Sequence, residues 1–421
     1  MTQRVPLLAN DYVAVFTSPD PANVFTYTPG ILRLPSGRLV ATLDLGGPGV
    51  KNLPGVKATQ GEGPNNWQGK IFTSDDGGQS WRWRSDFPFF HARPFLAGGM
   101  IYVLGHAGDL QIIRSDDDGE TWSAPVALTQ DQWWHQSACS VVYARNRVYL
   151  VMERRTDPKF PTWPVSVLAP VVLAADVDAD LRERRAWTFS NEITFRDVVG
   201  EPVGVGAPFY PYGLLNPGNP TDRRTMAPIG WLETNLVQFH DPRHLWHDPA
   251  GRTFYLWMRA HTGSTNLAAI ARATESPTGE ITVELAKAPS GQTIVYVPCP
   301  GGHLKFDILY DEPSGLYWLL SSQSTDSMTR PDQLPAERFG LPNNERHRLA
   351  LHYSKNCFDW QMAGLVAVGD SPRQARHYAS LTVDGDDLLV LSRSGDGRAK
   401  SAHDGNVISF HRVRDFRSLL Y

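Results

Sequence analysis

Cysteine, net charge and long apolar segments are all scarce in this chain, and each shortage excludes a class of protein. The three cysteines among 421 residues, Cys139, Cys299 and Cys357, lie far apart. Neither a disulfide framework nor a paired-cysteine metal site can be built from them. We therefore expect buried thiols, and we predict no metal and no cofactor.

The charge balance argues against polyanionic partners. Charged residues make up 20% of the chain and the formal net charge is −4, so the composition predicts no binding to nucleic acid or to a membrane surface. No run approaches 18 apolar residues, and the opening "MTQRVPLLANDYVAVF" lacks the apolar stretch of a signal peptide. This pattern predicts a cytoplasmic protein, or a secreted one if a signal has been removed. Oligomeric state is left open.

Aromatic residues, glycine and proline are abundant instead. The chain has 13 Trp, 36 Gly and 32 Pro, which is typical of short strands, tight turns and surfaces that stack on sugars. Helical periodicity is nearly absent. Six alternating runs each follow a turn with Gly or Asn and another short strand: "GRLVATLDL", "MIYVLG", "RVYLVMER", "TFYLWMRA", "LYWLLSS" and "DLLVLSR".

The spacing of these six hairpins leaves room for two further strands each, which indicates four-stranded blades around a channel. We predict an all-β fold, a six-bladed β-propeller of four-stranded antiparallel blades that forms a single domain over residues 1–421. The segments "DYVAVF" and "GNVISFHRV" would share a blade and close the ring. Residues 156–230 are the least regular and would hold the outer strands of the third blade and a long loop.

One turn is written twice, as "FTSDDGGQSW" at 72–81 and "IRSDDDGETW" at 113–122, with a shortened copy "YSKNCFDW" at 353–360. Its Asp caps the turn, its Gly takes a backbone shape that other residues resist, and its Trp packs between sheets. We assign these acids a structural role. The turn resembles the Asp box (BNR repeat) of the sialidase (neuraminidase) superfamily, and the six hairpins extend that resemblance over nearly the whole chain.

In a propeller the inner strands begin at one rim of the channel, so the residues that open the hairpins should converge there. Those residues are unusually polar for strand starts. The candidates are Tyr27, His91, Arg93, His135, Glu233, Asn235, His303, Lys305, His377 and Tyr378, with Arg259 and Arg393 from the returning strands.

The resemblance implies roles for some of them. Sialidases hold the substrate carboxylate with three arginines and use a Tyr nucleophile assisted by Glu, since an anionic nucleophile would be repelled. "YASLTVDGDDLLVL" resembles the family's nucleophile strand and implies that role for Tyr378. "WLETNLVQF" followed by "LWMRA" implies Glu233 as the helper and Arg259 as a clamp residue, and "RLALHYS" implies Arg348 as another.

The chain also departs from the family. Tyr27 stands where the family opens its first strand with the first clamp Arg, and the loop that would carry the acid offers only Glu62. Histidines open four inner strands and could carry protons near neutral pH: His91, His135, His303 and His377. A zinc site at "HDPRHLWHD" (240–248) is the weaker interpretation of that segment, which is expected to be a turn at the far rim.

These features predict an exo-acting glycoside hydrolase for an acidic terminal sugar of a glycan or oligosaccharide. Tyr378, Glu233, His135 and Glu62 would be catalytic, and the remaining candidates would bind substrate. Two alternatives stay open: a polysaccharide lyase that uses His and Tyr on uronates, and a carbohydrate-binding propeller without turnover.

Overall fold

The computed structural model describes residues 7–58, 66–161, 163–199, 229–261, 266–326 and 345–420, together with 329 and 333. This part of the chain is built from strands. They are, in chain order, β1 Val13–Thr17, β2 Phe25–Arg33, β3 Leu39–Gly47, β4 Asn66–Ser74, β5 Arg82–Phe87, β6 Phe90–Ala97, β7 Met100–Ala107, β8 Asp109–Ser115, β9 Val126–Ala127, β10 Trp134–His135, β11 Val142–Ala144, β12 Arg147–Arg155, β13 Leu168–Asp176, β14 Trp187–Phe189, β15 Gly230–Val237, β16 Thr253–His261, β17 Leu267–Glu275, β18 Ile281–Lys287, β19 Thr293–Ile294, β20 Tyr296–Pro298, β21 Asp307–Asp311, β22 Leu316–Ser322, β23 Arg348–Ser354, β24 Gln361–Val368, β25 Arg376–Asp384, β26 Asp387–Ser394 and β27 Val407–Val413.

Helix is minor in the same ranges. The α-helix α1 (Phe195–Val198) is one turn long, and short 3-10 segments lie at Pro48–Asn52, Arg184–Ala186 and Phe416–Leu419. None of the helices in the described ranges is long and apolar enough to cross a bilayer.

The strands form six antiparallel sheets, which confirms the predicted fold class. The first five blades are β2–β5, β6–β9, β10–β14, β15–β20 and β21–β24, and the sixth consists of β25, β26, β27 and β1. The innermost strands contact one another around the centre, with β2 against both β6 and β25. The outermost strand of the sixth blade, β1, pairs with β27 and so joins residues that precede the first blade to the last one.

Two of the six hairpins are less regular than the sequence pattern predicted. "HQSACSVVY" is not one strand, because residues 136–141 leave the ladder between β10 and β11 and bond to the fourth blade, as Ser140 N–H does to the Asn235 side chain at 3.3 Å. "GGHLKFDILY" becomes a strand only at Asp307. Its first half turns instead, with Leu304 N–H bonded to the Gly301 carbonyl.

The repeated turn is a closed set of hydrogen bonds. In the first copy the Asp76 carboxylate accepts from Ser80 N–H at 2.9 Å and from the Ser74 hydroxyl at 2.8 Å, and the Trp81 indole donates to the Gly78 carbonyl. The second copy repeats these contacts with Asp117, Thr121, Ser115 and Trp122. Asp76 and Asp117 are thus occupied by hydrogen bonds within their own turns, as expected for a structural role.

Apolar cores fill the wedges between neighbouring blades rather than the centre. The cluster between the third and fourth blades contains Tyr149, Trp231 and Phe254, all with 1% exposure or less. Because each wedge holds two blades together, the inner strands are fixed rigidly enough to carry a site.

Four innermost strands contain a bulge at the same level. The register shifts between Tyr27 and Gly30 in β2, and β6, β15 and β25 shift at the equivalent place. Three bulge residues have left-handed backbone without being glycine: His91 (φ 52), Glu233 (φ 56) and Tyr378 (φ 50). Such strained positions re-aim a side chain and cluster at functional sites.

Candidate functional site

The site is centred on the hydroxyl of Tyr378. One guanidinium nitrogen of Arg259, Nη1, donates to the Tyr378 phenol oxygen at 2.6 Å and to the Glu233 carboxylate at 3.1 Å. Arg259 is held in turn by the His303 carbonyl, to which its Nε donates at 2.8 Å. The structure thus brings together three residues, from the fourth and sixth blades, that the sequence placed in one site.

The protonation of this group suits a base-assisted nucleophile. Burial raises the pKa of the Tyr378 phenol, which therefore carries its proton at neutral pH. Burial alone would raise the pKa of Glu233 as well, but the charges of Arg259 and of nearby His135 lower it below 4.5 overall. A protonated phenol beside an ionised carboxylate can lose its proton as it attacks.

Two more guanidinium groups face the same phenol ring. The guanidinium carbon of Arg393 lies 5.2 Å from the Tyr378 ring centre, that of Arg346 lies 5.6 Å from it, and that of Arg259 lies 6.0 Å away. Burial, aided by its cationic neighbours, lowers the pKa of Arg346 to about 10. The pocket therefore concentrates positive charge on the side formed by the fourth, fifth and sixth blades.

Arg348, the residue that the sequence motif indicated in the fifth blade, is placed differently. It opens β23 with its side chain 27% exposed, and it pairs with Glu345 at 3.1 Å. The guanidinium group against Tyr378 belongs to Arg346, two residues earlier, whose Nη1 also lies 3.2 Å from Nδ1 of His377.

The opposite side of the pocket is lined by imidazole rings. The ring centre of His91 lies 5.5 Å from that of His106 and 5.7 Å from that of His135. Burial holds the pKa of His91 and of His106 well below 6.5, so both are neutral at neutral pH. Two buried carboxylates border the group: Asp44 accepts from His91 N–H at 2.9 Å, and Glu153 lies 3.2 Å from Nδ1 of His135.

Tyr27 joins the two sides. Its ring packs on Trp67 at 5.0 Å between centres, and Trp67 also meets His91 at 5.3 Å. The Tyr27 hydroxyl donates to Asp404 at 2.9 Å. Asp404 bonds the His403 ring at 2.8 Å, and its pKa falls to about 2 despite burial, because these groups favour the carboxylate.

Other predicted residues lie nearby, but their hydrogen bonds hold neighbouring blades together. Arg93 donates to the Ser137 and Val151 carbonyls at 3.0 and 2.8 Å, and Lys305 donates to the Ala379 carbonyl. The Asn235 side chain bonds three backbone groups, one of them the Phe306 carbonyl. These contacts link neighbouring blades.

Arg93 also lines a separate cavity of about 470 Å³, together with Asp307 and Ser380, and neither Tyr378 nor Glu233 borders it. His303 lies beside Arg259, and its Nε2 is 3.0 Å from the Ser324 hydroxyl. The other predicted acid, Glu62, lies outside the described residues.

The "HDPRHLWHD" histidines are not brought together. The His240 ring stacks on Tyr310 at 4.3 Å, the His244 ring stacks on Phe239 at 3.8 Å, and Nδ1 of His247 bonds the Phe239 carbonyl. Within the described ranges no group of three or more His, Cys, Asp or Glu residues could hold a metal ion.

Sequence reasoning missed two residues of the site, Arg346 and Asp404. Arg346 lies before the regular alternation of β23 begins, so no strand pattern marked it. Asp404 lies in the polar segment "HDGN" (403–406), outside any strand pattern.

The comparisons with known proteins bear on the fold. No protein-family model and no curated protein matches the sequence. Among solved structures, an α-L-arabinanase of Penicillium chrysogenum is 12% identical with a TM-score of 0.52, over 98% of this chain and 99% of its own. A Hadza microbial sialidase is 16% identical with a TM-score of 0.55, over 96% and 68% of the two chains. A Trypanosoma rangeli sialidase mutant is 11% identical with a TM-score of 0.53, over 99% and 60%. The chain therefore has the sialidase-like six-bladed β-propeller fold.

Proposed function

We propose that the protein is an exo-acting glycoside hydrolase that removes a terminal acidic sugar from a glycan, with Tyr378 as nucleophile and Glu233 as its base. The observation that carries the proposal is the single guanidinium nitrogen of Arg259 that bonds both the phenol and the carboxylate. A structural tyrosine would not need a left-handed backbone, a base and three cations around it.

The reaction follows from this arrangement. Glu233 accepts the phenol proton as the Tyr378 oxygen bonds to the anomeric carbon, while the bond from that carbon to the leaving oxygen breaks. The leaving oxygen takes a proton from an acid on the rim. In the second step the conjugate base of that acid takes a proton from water as the water oxygen bonds to the anomeric carbon, the bond from that carbon to the Tyr378 oxygen breaks, and Glu233 returns its proton to the phenolate. His135, bonded to Glu153, is the candidate acid in the described ranges, and Glu62 is the other candidate.

The charge of the pocket supports an acidic rather than a neutral sugar. Structural neighbours include enzymes named for arabinan and arabinofuranoside as well as sialidases, so the fold alone does not choose. Arg259 and Arg346 are buried beside Tyr378, where Glu233 pairs with Arg259, and a substrate carboxylate would add charge-assisted hydrogen bonds to this cationic side of the pocket. A carboxylate on the reacting carbon also accounts for a neutral phenol as nucleophile.

The test is a screen of aryl glycosides that carry the same aryl leaving group on acidic or neutral sugars. The set contains N-acetylneuraminic acid, glucuronic acid and galacturonic acid as acidic glycones, with L-arabinofuranose and galactose as neutral ones. We expect release of the aryl group from at least one acidic glycone and no comparable rate on the neutral ones. Turnover of neutral glycones alone would contradict the proposed substrate class.

A lyase acting on uronate glycans is the second candidate, and the neutral imidazoles of His91 and His106 favour it. A neutral histidine can abstract the proton next to a uronate carboxylate that arginines neutralise, and Tyr378 could return one to the leaving oxygen. A lyase releases an unsaturated product that absorbs in the ultraviolet, and a hydrolase releases a saturated one. Uronate oligosaccharides assayed for both absorbance and reducing ends separate the two.

A further inference from the structure

The innermost strand of the first blade, β2, has Tyr27 where the sialidase pattern has an arginine. An arginine from another blade contacts this tyrosine. The Tyr27 ring is only 4% exposed, and the one charged residue of β2, Arg33, pairs with Asp384. Arg393 lies across this ring, with its guanidinium carbon 4.1 Å from the Tyr27 ring centre and 5.2 Å from that of Tyr378. The same guanidinium group thus faces the substitute residue and the proposed nucleophile.

Arg393 is positioned by contacts that leave its charge available. It stands on β26 opposite His377 and donates to the His403 carbonyl. It is 2% exposed and its Nε has no hydrogen-bond partner. The Asp404 carboxylate is close enough for the charge of Arg393 to help lower its pKa, but Asp404 forms its hydrogen bonds with Tyr27 and His403. A buried guanidinium group whose hydrogen-bonding capacity is only partly used favours an anionic ligand.

Tyr27 and Asp404 fix the surface on which Arg393 rests. Burial raises the pKa of the Tyr27 phenol, so the ring stays neutral and offers its face to the cation. The hydroxyl of Tyr27 is tied to Asp404 at 2.9 Å, and Asp404 is held by the His403 ring, whose backbone carbonyl accepts from Arg393. The four residues form one closed set of contacts at the junction of the first and sixth blades.

The geometry points to Arg393, from the sixth blade, as the third cation that binds the substrate carboxylate, together with Arg259 and Arg346. It takes the role of the arginine that is absent at position 27. Tyr27 and Asp404 are positioning residues that hold Arg393 in place. The inference rests on the proposed function. It adds that the anionic group of the substrate binds toward the fourth to sixth blades, among Arg259, Arg346 and Arg393. The imidazole side at His91 and His135 is then left for the leaving group.

The experiment measures binding rather than turnover. Calorimetry compares N-acetylneuraminic acid and glucuronic acid, each against its methyl ester, on the wild-type chain and on R393M, R259M and R346M. Methionine keeps the apolar stem of arginine, so packing on Tyr27 is largely retained. We expect R393M to weaken binding of the acid about 10- to 100-fold, as for loss of a charged hydrogen bond, and to change ester binding little.

Two further variants distinguish a loss of binding from a folding defect. R393K keeps the charge without the planar fork and should lose less than R393M. Y27F keeps the ring but not the bond to Asp404, and should weaken binding of the acid a few-fold while leaving that of the ester unchanged. A purely structural role for Tyr27 would lower both affinities together.

The outcomes separate the two proposals. If R259M and R346M weaken binding of the acid while R393M binds it like the wild type, the inference about Arg393 is wrong and the proposed function stands. If neither acid binds the wild-type chain, or none of the three methionine variants affects binding, the proposed function and the inference both fail.

Discussion

At the scale of single residues, the decisive feature is the concentration of cations around one phenol. Arg259 bonds the Tyr378 oxygen directly, and Arg346 and Arg393 face its ring. These charges would stabilise the phenolate that forms as Glu233 withdraws the proton, whereas burial and the charge of Glu233 raise the pKa of the phenol and keep it protonated at rest. The nucleophile is thus a neutral phenol at rest and becomes a phenolate only as it attacks the anomeric carbon.

The neighbouring arginines of the fifth blade provide a matched pair of variants. Arg346 is 4% exposed against Tyr378, whereas Arg348 pairs with Glu345 and is 27% exposed. We expect R346M to lower kcat/KM for an acidic glycoside about 10- to 100-fold, because a charged hydrogen bond to the substrate is lost. R348M should stay within a few-fold of the wild type in the same assay. Equal losses would show that the local fold, and not a contact with substrate, is responsible.

The protonation states predict the pH profile. Glu233 must be ionised to accept a proton, and its pKa lies below 4.5, so kcat/KM should fall only when the pH drops below that value. His91 and His106 are already neutral at pH 6.5 and add no limb there. The profile should therefore show no acid limb between roughly pH 5 and 8 while unfolding controls show an intact chain, and a fall toward high pH would report deprotonation of the acid that serves the leaving group. A fall in kcat/KM as the pH drops through about 6.5 would contradict this assignment of charges.

At the scale of elements, the bulged inner strands aim the site. Glu233 and Tyr378 sit in left-handed backbone at bulges of β15 and β25, and this conformation is costly for any residue with a Cβ. Without the bulges these side chains would alternate across the strand like their neighbours. The strain is held by the wedge cores on either side.

A pair of substitutions measures that strain. At Tyr378, Gly should be more stable than Ala by about 1 kcal/mol in denaturant unfolding, because only Gly adopts a positive φ without cost. Tyr353, in the regular part of β23, is the control, and there Ala should be the more stable. The same Ala-over-Gly order at both positions would mean that Tyr378 is not strained.

At the scale of the whole molecule, the sixth blade depends on a strand from before the first blade. Val15 of β1 is 6% exposed in the core that also holds Leu391 and Phe410. V15D should destabilise the chain by at least about 3 kcal/mol in denaturant unfolding, because it buries a charge in that core. V56D, at a side chain that is 52% exposed, is the control. An unchanged midpoint for V15D would show that this closure is not needed.

The sequence supports the global outline better than the detail of the site. Six hairpins were readable because alternation and glycine turns are local, and short motifs in the right order marked Tyr378, Glu233 and Arg259. Arg348 was indicated in place of Arg346, because the strand alternation begins only at Arg348 and Arg346 lies in the irregular segment before it. The bulges at Glu233 and Tyr378 gave no signal, since Glu and Tyr are not among the residue types that favour a positive φ. The contact of Arg393 with Tyr27 joins the first and last blades, which no local pattern reports.

The central claim is that side chains from separate blades form one catalytic group around Tyr378. It is tested most directly by kcat on the best acidic glycoside for the wild type, Y378F and E233Q, with circular dichroism to confirm folding. We predict that E233Q loses about 10²- to 10⁴-fold, as expected for a removed general base, and that Y378F loses at least as much. Wild-type kcat in either folded variant would contradict the account.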